Sequence, residues 1–97
     1  MVKAASGAKP KRHKVMFFCD APEARQVALV GTFNHWNPKQ DPMRHIGGGR
    51  WNKALFLPPG EYEYKFWIDG RWREDPRNGR WVPNPFGTMN NLLTVAP

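Results

Sequence analysis

The chain has 97 residues, of which 40% are hydrophobic and 24% are charged, and this predicts one small folded domain. No apolar run is long enough to span a membrane, and residues 1–14 lack the hydrophobic segment of a secretory signal. The only cysteine, Cys19, excludes an internal disulfide and a cysteine-based metal cluster, which favours a reducing, cytoplasmic location.

The net charge of +7 is concentrated near the N-terminus, where no acidic residue precedes Asp20. Elsewhere Lys and Arg nearly balance the eight Asp and Glu residues. We therefore predict a basic, disordered tail over residues 1–14 and a folded domain over residues 15–97. A basic tail is more often a solvated arm than a segment that binds nucleic acid specifically, so nucleic acid is not the partner that we expect.

Short segments of alternating polarity, separated by Pro and Gly turns, predict an all-β chain. The predicted strands are residues 15–19, 26–30, 43–46, 50–57, 61–68 and 91–95. Residues 43–46 are expected to pair with the start of 50–57, and residues 75–85 are expected to be irregular. The pattern is typical of an immunoglobulin-like antiparallel β-sandwich. The expected aromatic core comprises both tyrosines with Phe17, Phe33, Trp51, Phe56 and Phe66.

The alternation of two side-chain faces is clearest in the segment 61–68. Its predicted core face is Tyr62, Tyr64, Phe66 and Ile68. Its predicted outward face is Glu61, Glu63, Lys65 and Trp67. The following Asp69-Gly70 predicts a two-residue hairpin turn with positive φ at both positions. This register would pair Trp67 with Trp72 and Lys65 with Glu74, which places Lys65, Trp67 and Trp72 on one outward face.

No pattern in the sequence predicts an enzyme. The histidines lack metal-ligand spacing and are expected to be exposed or in turns: His13, His35 and His45. Glu61 and Glu63 share a face but match no acid–base motif, and a glycosidase needs a carboxyl pair across a cleft. Gly47-Gly48-Gly49 lacks the Lys-Ser/Thr of a phosphate loop. We expect no catalytic residue, cofactor or metal.

Three motifs are distinctive: VALVGTFNHWNP at 27–38, PGEYEYKFWIDGRW at 59–72 and NPFGTMNN at 84–91. In order and spacing they resemble carbohydrate-binding module family 48. That family includes the glycogen-binding domain of the AMP-activated protein kinase beta subunit and the early-set domains of isoamylases and branching enzymes. The resemblance covers residues 15–95. It implies an early-set sandwich that binds glycogen- or starch-type α-1,4-glucan without catalysis, with a glycogen-metabolising enzyme or kinase as the protein partner.

The resemblance also implies which residues bind sugar. They are Trp36, Lys65, Trp72, Phe86, Thr88 and Asn90. Trp36 and Trp72 match the tryptophans on which glucose rings stack. Phe86 stands where the family has a leucine that pushes against the glucan, and an aromatic ring there could equally stack.

The other three residues match polar positions of the family. Lys65 matches a lysine that hydrogen-bonds sugar hydroxyls, while Thr88 and Asn90 match a hydroxyl and an amide that contact the glucan. The chemistry agrees, because a lysine ammonium donates three hydrogen bonds and an amide both donates and accepts.

Other interpretations stay open. Trp36 could cap a turn in the core, and Trp72 could simply cover Trp67. An early-set module that docks on a partner without binding sugar is favoured if the tryptophans are buried. A nucleic-acid binder would depend steeply on salt and would need the basic tail. Trp67 is expected to brace the surface, and the pattern assigns no role to Trp81.

Overall fold

The computed structural model describes residues 11–97, which form eight strands and one short 3₁₀-helix. The strands are β1 (His13–Asp20), β2 (Val27–Gly31), β3 (Arg44–His45), β4 (Arg50–Leu57), β5 (Gly60–Ile68), β6 (Arg71–Arg73), β7 (Trp81–Pro83) and β8 (Met89–Val95). The 3₁₀-helix is Thr32–Asn34. Within these residues, no helix is long and apolar enough to cross a membrane.

The strands form two antiparallel sheets that pack into a sandwich. One sheet has three strands in the order β1-β4-β3. The other has five, in the order β2-β5-β8-β7, with β6 also paired to β5. The all-β sandwich prediction is confirmed, as is the pairing of residues 43–46 with the start of β4. Pro and Gly residues separate the strands because neither supports a continuous central ladder.

The core lies between the sheets. The rings of Phe17 in β1 and Tyr64 in β5 meet edge to face, with centroids 5.1 Å apart. Trp51 is buried as predicted, and its indole N–H donates to Ala21 O over 3.1 Å. The prediction that Phe56 belongs to the core is wrong, because 58% of it is exposed. The side chains of β4 point alternately to the two faces of the sheet, so Phe56 faces outwards while Trp51 and Leu57 face the core.

The N-terminal strand begins earlier than the sequence predicts. His13 and Lys14 pair with Leu57 and Phe56, so both belong to β1 although the predicted tail includes them. Residues 1–10 of that predicted tail lie outside the described residues.

Strand β5 changes partner along one of its edges. Its residues Gly60–Tyr64 pair with β8, whereas Phe66–Ile68 pair with β6. Lys65 therefore lies where β6 and β8 diverge. The predicted pairing of Lys65 with Glu74 is wrong, because the β5–β6 ladder ends at Phe66–Arg73.

The reason for this early end is the buried Asp75. Its backbone N–H donates to Asn91 Oδ1 over 2.6 Å, and its carboxylate accepts from the Tyr64 hydroxyl over 2.7 Å. The backbone N–H of Asp75 is thus bonded to β8 rather than to the backbone of β5, and the β5–β6 ladder ends at Arg73. A buried polar group needs such partners, since leaving it unpaired costs roughly 1–3 kcal/mol.

Candidate functional site

A tight turn after β2 is held together by Asn34, whose side chain is fully buried. Asn34 Oδ1 accepts from Gly31 N over 3.0 Å. Its Nδ2 donates to Leu29 O and to Asp41 Oδ2, each over 2.9 Å. One asparagine thus closes the 3₁₀ turn and ties it to the loop before β3.

The same turn presents Trp36 with an unusual backbone. His35 and Trp36 have φ of 56° and 59°, the left-handed region that non-glycine residues rarely adopt. Each such residue costs on the order of 1–3 kcal/mol and persists only where the surroundings enforce it. Here Trp36 N donates to Gly31 O over 2.9 Å. Because strained backbone often occurs at binding sites, this turn is a candidate functional element.

Three indoles meet on the outward side of the five-stranded sheet, and we call Trp36, Trp67 and Trp72 the tryptophan cluster. Trp72 contacts Trp67 with ring centroids 4.6 Å apart and contacts Trp36 at 6.2 Å. Both contacts are edge-to-face, at 66° and 73°. Trp72 is 47% exposed, and the other two are half-buried. The three rings therefore form one contiguous, stepped apolar surface.

The hairpin that carries Trp72 is built as the sequence predicts. Asp69 and Gly70 have φ of 47° and 84°, and Trp67 lies opposite Trp72. The Asp69 carboxylate accepts from the backbone N–H of Arg25 and Gln26, the shortest bond being 2.8 Å. The turn is thereby anchored to the segment that enters β2.

Lys65 lies on the same outward face as Trp67, about 7 Å further back along β5. It is 6% exposed, so it differs from an ordinary solvated strand lysine. Its Nζ donates to Thr88 Oγ1 over 3.3 Å. Burying an ammonium is costly unless hydrogen bonds compensate, and one contact leaves donors for a ligand.

The loop between β7 and β8 is shaped by Asn84. Its Oδ1 accepts from Phe86 N over 2.9 Å and from Thr88 N over 3.2 Å. Gly87, with φ of 82°, completes the turn. Phe86 stands at the tip and is 88% exposed. Because a large aromatic ring gains nothing by facing water, this exposure favours a contact with a ligand.

Asn84 also joins the loop to β8. Its Nδ2 donates to Thr88 Oγ1 over 2.7 Å and to Asn90 Oδ1 over 2.9 Å. Asn90, which is 7% exposed, donates in turn to Glu63 Oε1 over 3.0 Å. No role of Asn84 is predicted from the sequence. The available signal is the Asn-Pro dipeptide, since Asn side chains often bond their own backbone in turns.

The six predicted sugar-binding residues thus form two groups, which meet where Lys65 and Trp67 share the outward face of β5. Trp36 and Trp72 belong to the tryptophan cluster. Lys65, Thr88 and Asn90 belong to a polar group beside it, to which Phe86 is tied through its backbone.

Trp81 is separate from both groups. It is 52% exposed and lies opposite Asn91 in β8, whereas Val82 lies opposite Asn90. Because successive strand residues face opposite sides, Trp81 does not share the face of the polar group. Within residues 11–97, no group of three or more His, Cys, Asp or Glu side chains could hold a metal ion.

Comparison with known proteins is consistent with this geometry. Residues 14–97 match the model of the family described as the glycogen recognition site of AMP-activated protein kinase. The 5′-AMP-activated protein kinase subunit beta-1 of Homo sapiens is 37% identical over 71 residues, which cover 73% of this chain and 25% of that protein. Protein PTST homolog 2, chloroplastic, of Arabidopsis thaliana is 38% identical over 73 residues, or 75% of this chain and 13% of that protein.

A solved structure agrees in fold. The maltogenic amylase from S. marinus superposes with a TM-score of 0.76 at 26% identity, and the match covers 92% of this chain and 14% of the amylase chain. The chain spans a quarter of the human kinase subunit and a smaller share of the other two proteins.

Proposed function

The chain belongs to the family of the AMP-activated protein kinase glycogen recognition site, and from that premise we propose that it binds α-1,4-linked glucan of the glycogen or starch type. The proposed role is binding without catalysis. The observation that carries the proposal is the tryptophan cluster lying beside the Lys65–Thr88 hydrogen bond on one face of the five-stranded sheet.

The surface suits a glucan chemically. A glucose ring presents C–H groups that pack on the face of an indole, and Trp72 offers the most exposed indole of the cluster. Hydroxyls at the ring edge would accept from Lys65 and from the Thr88 hydroxyl. Phe86 would extend the apolar surface along the polymer. These groups cover an open face, which a chain of glucose units can cross without entering a pocket.

Such an open polar surface supports weak binding of a single oligosaccharide, because desolvation offsets much of the contact energy. Repeated sites along one polymer would raise the apparent affinity by avidity. We propose that the module tethers itself, or a glycogen-metabolising enzyme or kinase, to such a polymer in the cytoplasm.

Electrophoresis in native gels containing glycogen tests the proposal. We expect glycogen to retard the wild-type protein and Trp72→Ala to abolish the retardation. Trp81→Ala is the matched control, because it removes an exposed tryptophan from a different face. Equal migration of the wild type with and without glycogen would refute the proposal.

A second function, docking on a protein without binding sugar, is favoured by one observation. Met16 and Phe56 are 40% and 58% exposed on the outer face of the three-stranded sheet, away from the tryptophan cluster. This alternative predicts no retardation by glycogen. It also predicts that Phe56→Ser, rather than Trp72→Ala, abolishes co-purification with a defined enzyme or kinase.

A further inference from the structure

A continuous series of side-chain hydrogen bonds crosses the polar group, and we call it the Lys65–Glu63 chain. It begins with Lys65 Nζ donating to Thr88 Oγ1 over 3.3 Å. Asn84 Nδ2 then bridges Thr88 Oγ1 at 2.7 Å and Asn90 Oδ1 at 2.9 Å. The chain ends where Asn90 Nδ2 donates to Glu63 Oε1 over 3.0 Å. It brings together residues from β5, β8 and the loop before β8.

The donor and the acceptor of each hydrogen bond follow from the chemistry of the two groups. A lysine ammonium can only donate, and an ionised carboxylate can only accept. Thr88 Oγ1 accepts from both Lys65 and Asn84, which occupies its two lone pairs. The hydroxyl hydrogen of Thr88 is therefore left to donate outwards. Asn84 uses both Nδ2 hydrogens within the chain, so this side chain has no donor left for a ligand.

Glu63 is the acceptor at the far end. One carboxylate oxygen accepts from Asn90, which leaves lone pairs on the other oxygen. Among residues 11–97, the ion pairs formed by Lys and Arg involve Asp20 and Asp41, not Glu63. The side chain is half-buried on the outward face of β5, two positions before Lys65. Its remaining acceptor capacity is thus available beside the donors of Lys65 and Thr88.

We propose that Glu63 accepts a hydrogen bond from the bound glucan, and that Asn84 positions Thr88 and Asn90 for it. This inference rests on the proposed function. A sugar hydroxyl both donates and accepts, so a surface that offered only the donors of Lys65 and Thr88 would leave hydroxyl hydrogens unpaired. A donor end and an acceptor end on one face match a pair of neighbouring hydroxyls on a neutral sugar ring.

Two substitutions of Glu63 separate accepting from positioning. Glu63→Gln keeps one oxygen for Asn90 but replaces the other with an N–H₂ donor, whereas Glu63→Ala removes both. Titration with maltoheptaose, followed by tryptophan fluorescence, is expected to show about ten-fold weaker binding or more for each, as for loss of a hydrogen bond to a charged group. Glu61→Gln makes the same change on the same face two residues earlier, and we expect it to bind like the wild type.

Asn84→Asp tests the positioning residue. Aspartate retains oxygens that accept from Phe86 N and Thr88 N, so the loop is expected to keep its shape, while the loss of two donors lowers the melting temperature only modestly. It loses the donors to Thr88 and Asn90, and the Thr88 hydroxyl would turn inwards to donate to the new carboxylate. Binding of maltoheptaose should weaken about as much as in Thr88→Val, by about ten-fold.

The outcomes are distinguishable. If Glu63→Gln binds like the wild type and only Glu63→Ala is weaker, Glu63 merely orients Asn90 and the accepting role is wrong. If neither substitution weakens binding while Trp72→Ala abolishes it, the inference fails and the proposed function stands. If the wild type does not bind maltoheptaose or glycogen, both fail together.

Discussion

The indoles of Trp36 and Trp72 meet edge to face, with ring centroids 6.2 Å apart, although one follows β2 and the other lies in β6. This contact joins the strained turn at His35–Trp36 to the β5–β6 hairpin. Trp36 therefore packs against a ring of the hairpin, in which Trp72 also contacts Trp67 at 4.6 Å. The apolar half of the candidate site is therefore a tertiary feature built from two turns.

Trp67 is predicted to act as the support for this surface rather than as a sugar contact. Trp67→Ala should cost about 2 kcal/mol of unfolding free energy, because a half-buried indole and its contact with Trp72 are lost. It should also weaken maltoheptaose binding indirectly. Trp67→Phe keeps an aromatic ring beneath Trp72 and should recover most of both losses. Urea unfolding and fluorescence titration measure the two effects, and equal affinities for the Phe and Ala variants would contradict this role.

Gly31 is predicted to be required for its lack of a side chain, because the chain passes very close to β5 there. A Cβ at this position would lie 2.9 Å from both the Phe33 ring and Tyr64 Cβ, and even closer to Glu63 O. Its backbone is extended, with φ of −170°, so the constraint is space rather than conformation. Gly31→Ala should cost roughly 1–3 kcal/mol through overpacking.

Gly79 provides the control for this prediction. A Cβ at Gly79 meets nothing within 4 Å, so Gly79→Ala should leave the urea midpoint almost unchanged. Equal stabilities for the two alanine variants would show that the approach of β2 to β5 can relax.

Local patterns in the sequence predict much of the fold and one part of the site. The Asp69-Gly70 turn and the period-two alternation of β5 are sufficient to place Trp67 opposite Trp72, and the structure confirms both. These features depend on neighbouring residues alone. Burial of Trp51 follows in the same way from its phase with the other core-facing residues of β4.

Features that depend on distant contacts are harder to predict. The sequence extends the hairpin register to Lys65 and Glu74, but the ladder ends first, where Asp75 donates to Asn91 and accepts from Tyr64. Likewise, a turn pattern around Asn84 does not reveal that its amide will reach Thr88 and Asn90.

Tyr64 is predicted to make stability sensitive to alkaline pH. Burial raises the pKa of its phenol above the ordinary value, and donation to Asp75 raises it further, while a hydrogen bond from Asn78 opposes the shift. The folded state therefore favours the protonated phenol. This contribution is complete below the unfolded-state pKa of about 10, and it is lost as pH rises towards the higher folded-state value.

Substitution of the hydroxyl tests this. Tyr64→Phe should lower the free energy of unfolding by roughly 1–3 kcal/mol at neutral pH, because buried Asp75 loses a donor. Above pH of about 10, the stability of this variant should fall less steeply with pH than that of the wild type. Tyr62→Phe removes a hydroxyl that donates to Pro58 O and serves as the control. Thermal melts from neutral to alkaline pH measure both, and an unchanged alkaline slope in Tyr64→Phe would contradict the assignment.

Salt should have little effect on glucan binding, because the ligand is neutral. Raising NaCl from about 50 to about 200 mM is expected to change the maltoheptaose affinity less than two-fold, whereas a nucleic-acid complex with several phosphate contacts would weaken by about 10³-fold or more. Deletion of residues 1–10 should likewise leave the affinity unchanged. A steep salt dependence, or loss of binding on deletion, would favour the nucleic-acid interpretation instead.

Contact of glucan with the tryptophan cluster is tested most directly by the indole N–H resonances in a ¹H–¹⁵N NMR titration with maltoheptaose. The chain has five tryptophans, so its own rings supply the controls. We predict that the signals of Trp36 and Trp72 shift progressively, while those of buried Trp51 and of Trp81 stay in place. Shifts confined to Trp81, or no shift at saturating maltoheptaose, would contradict this contact.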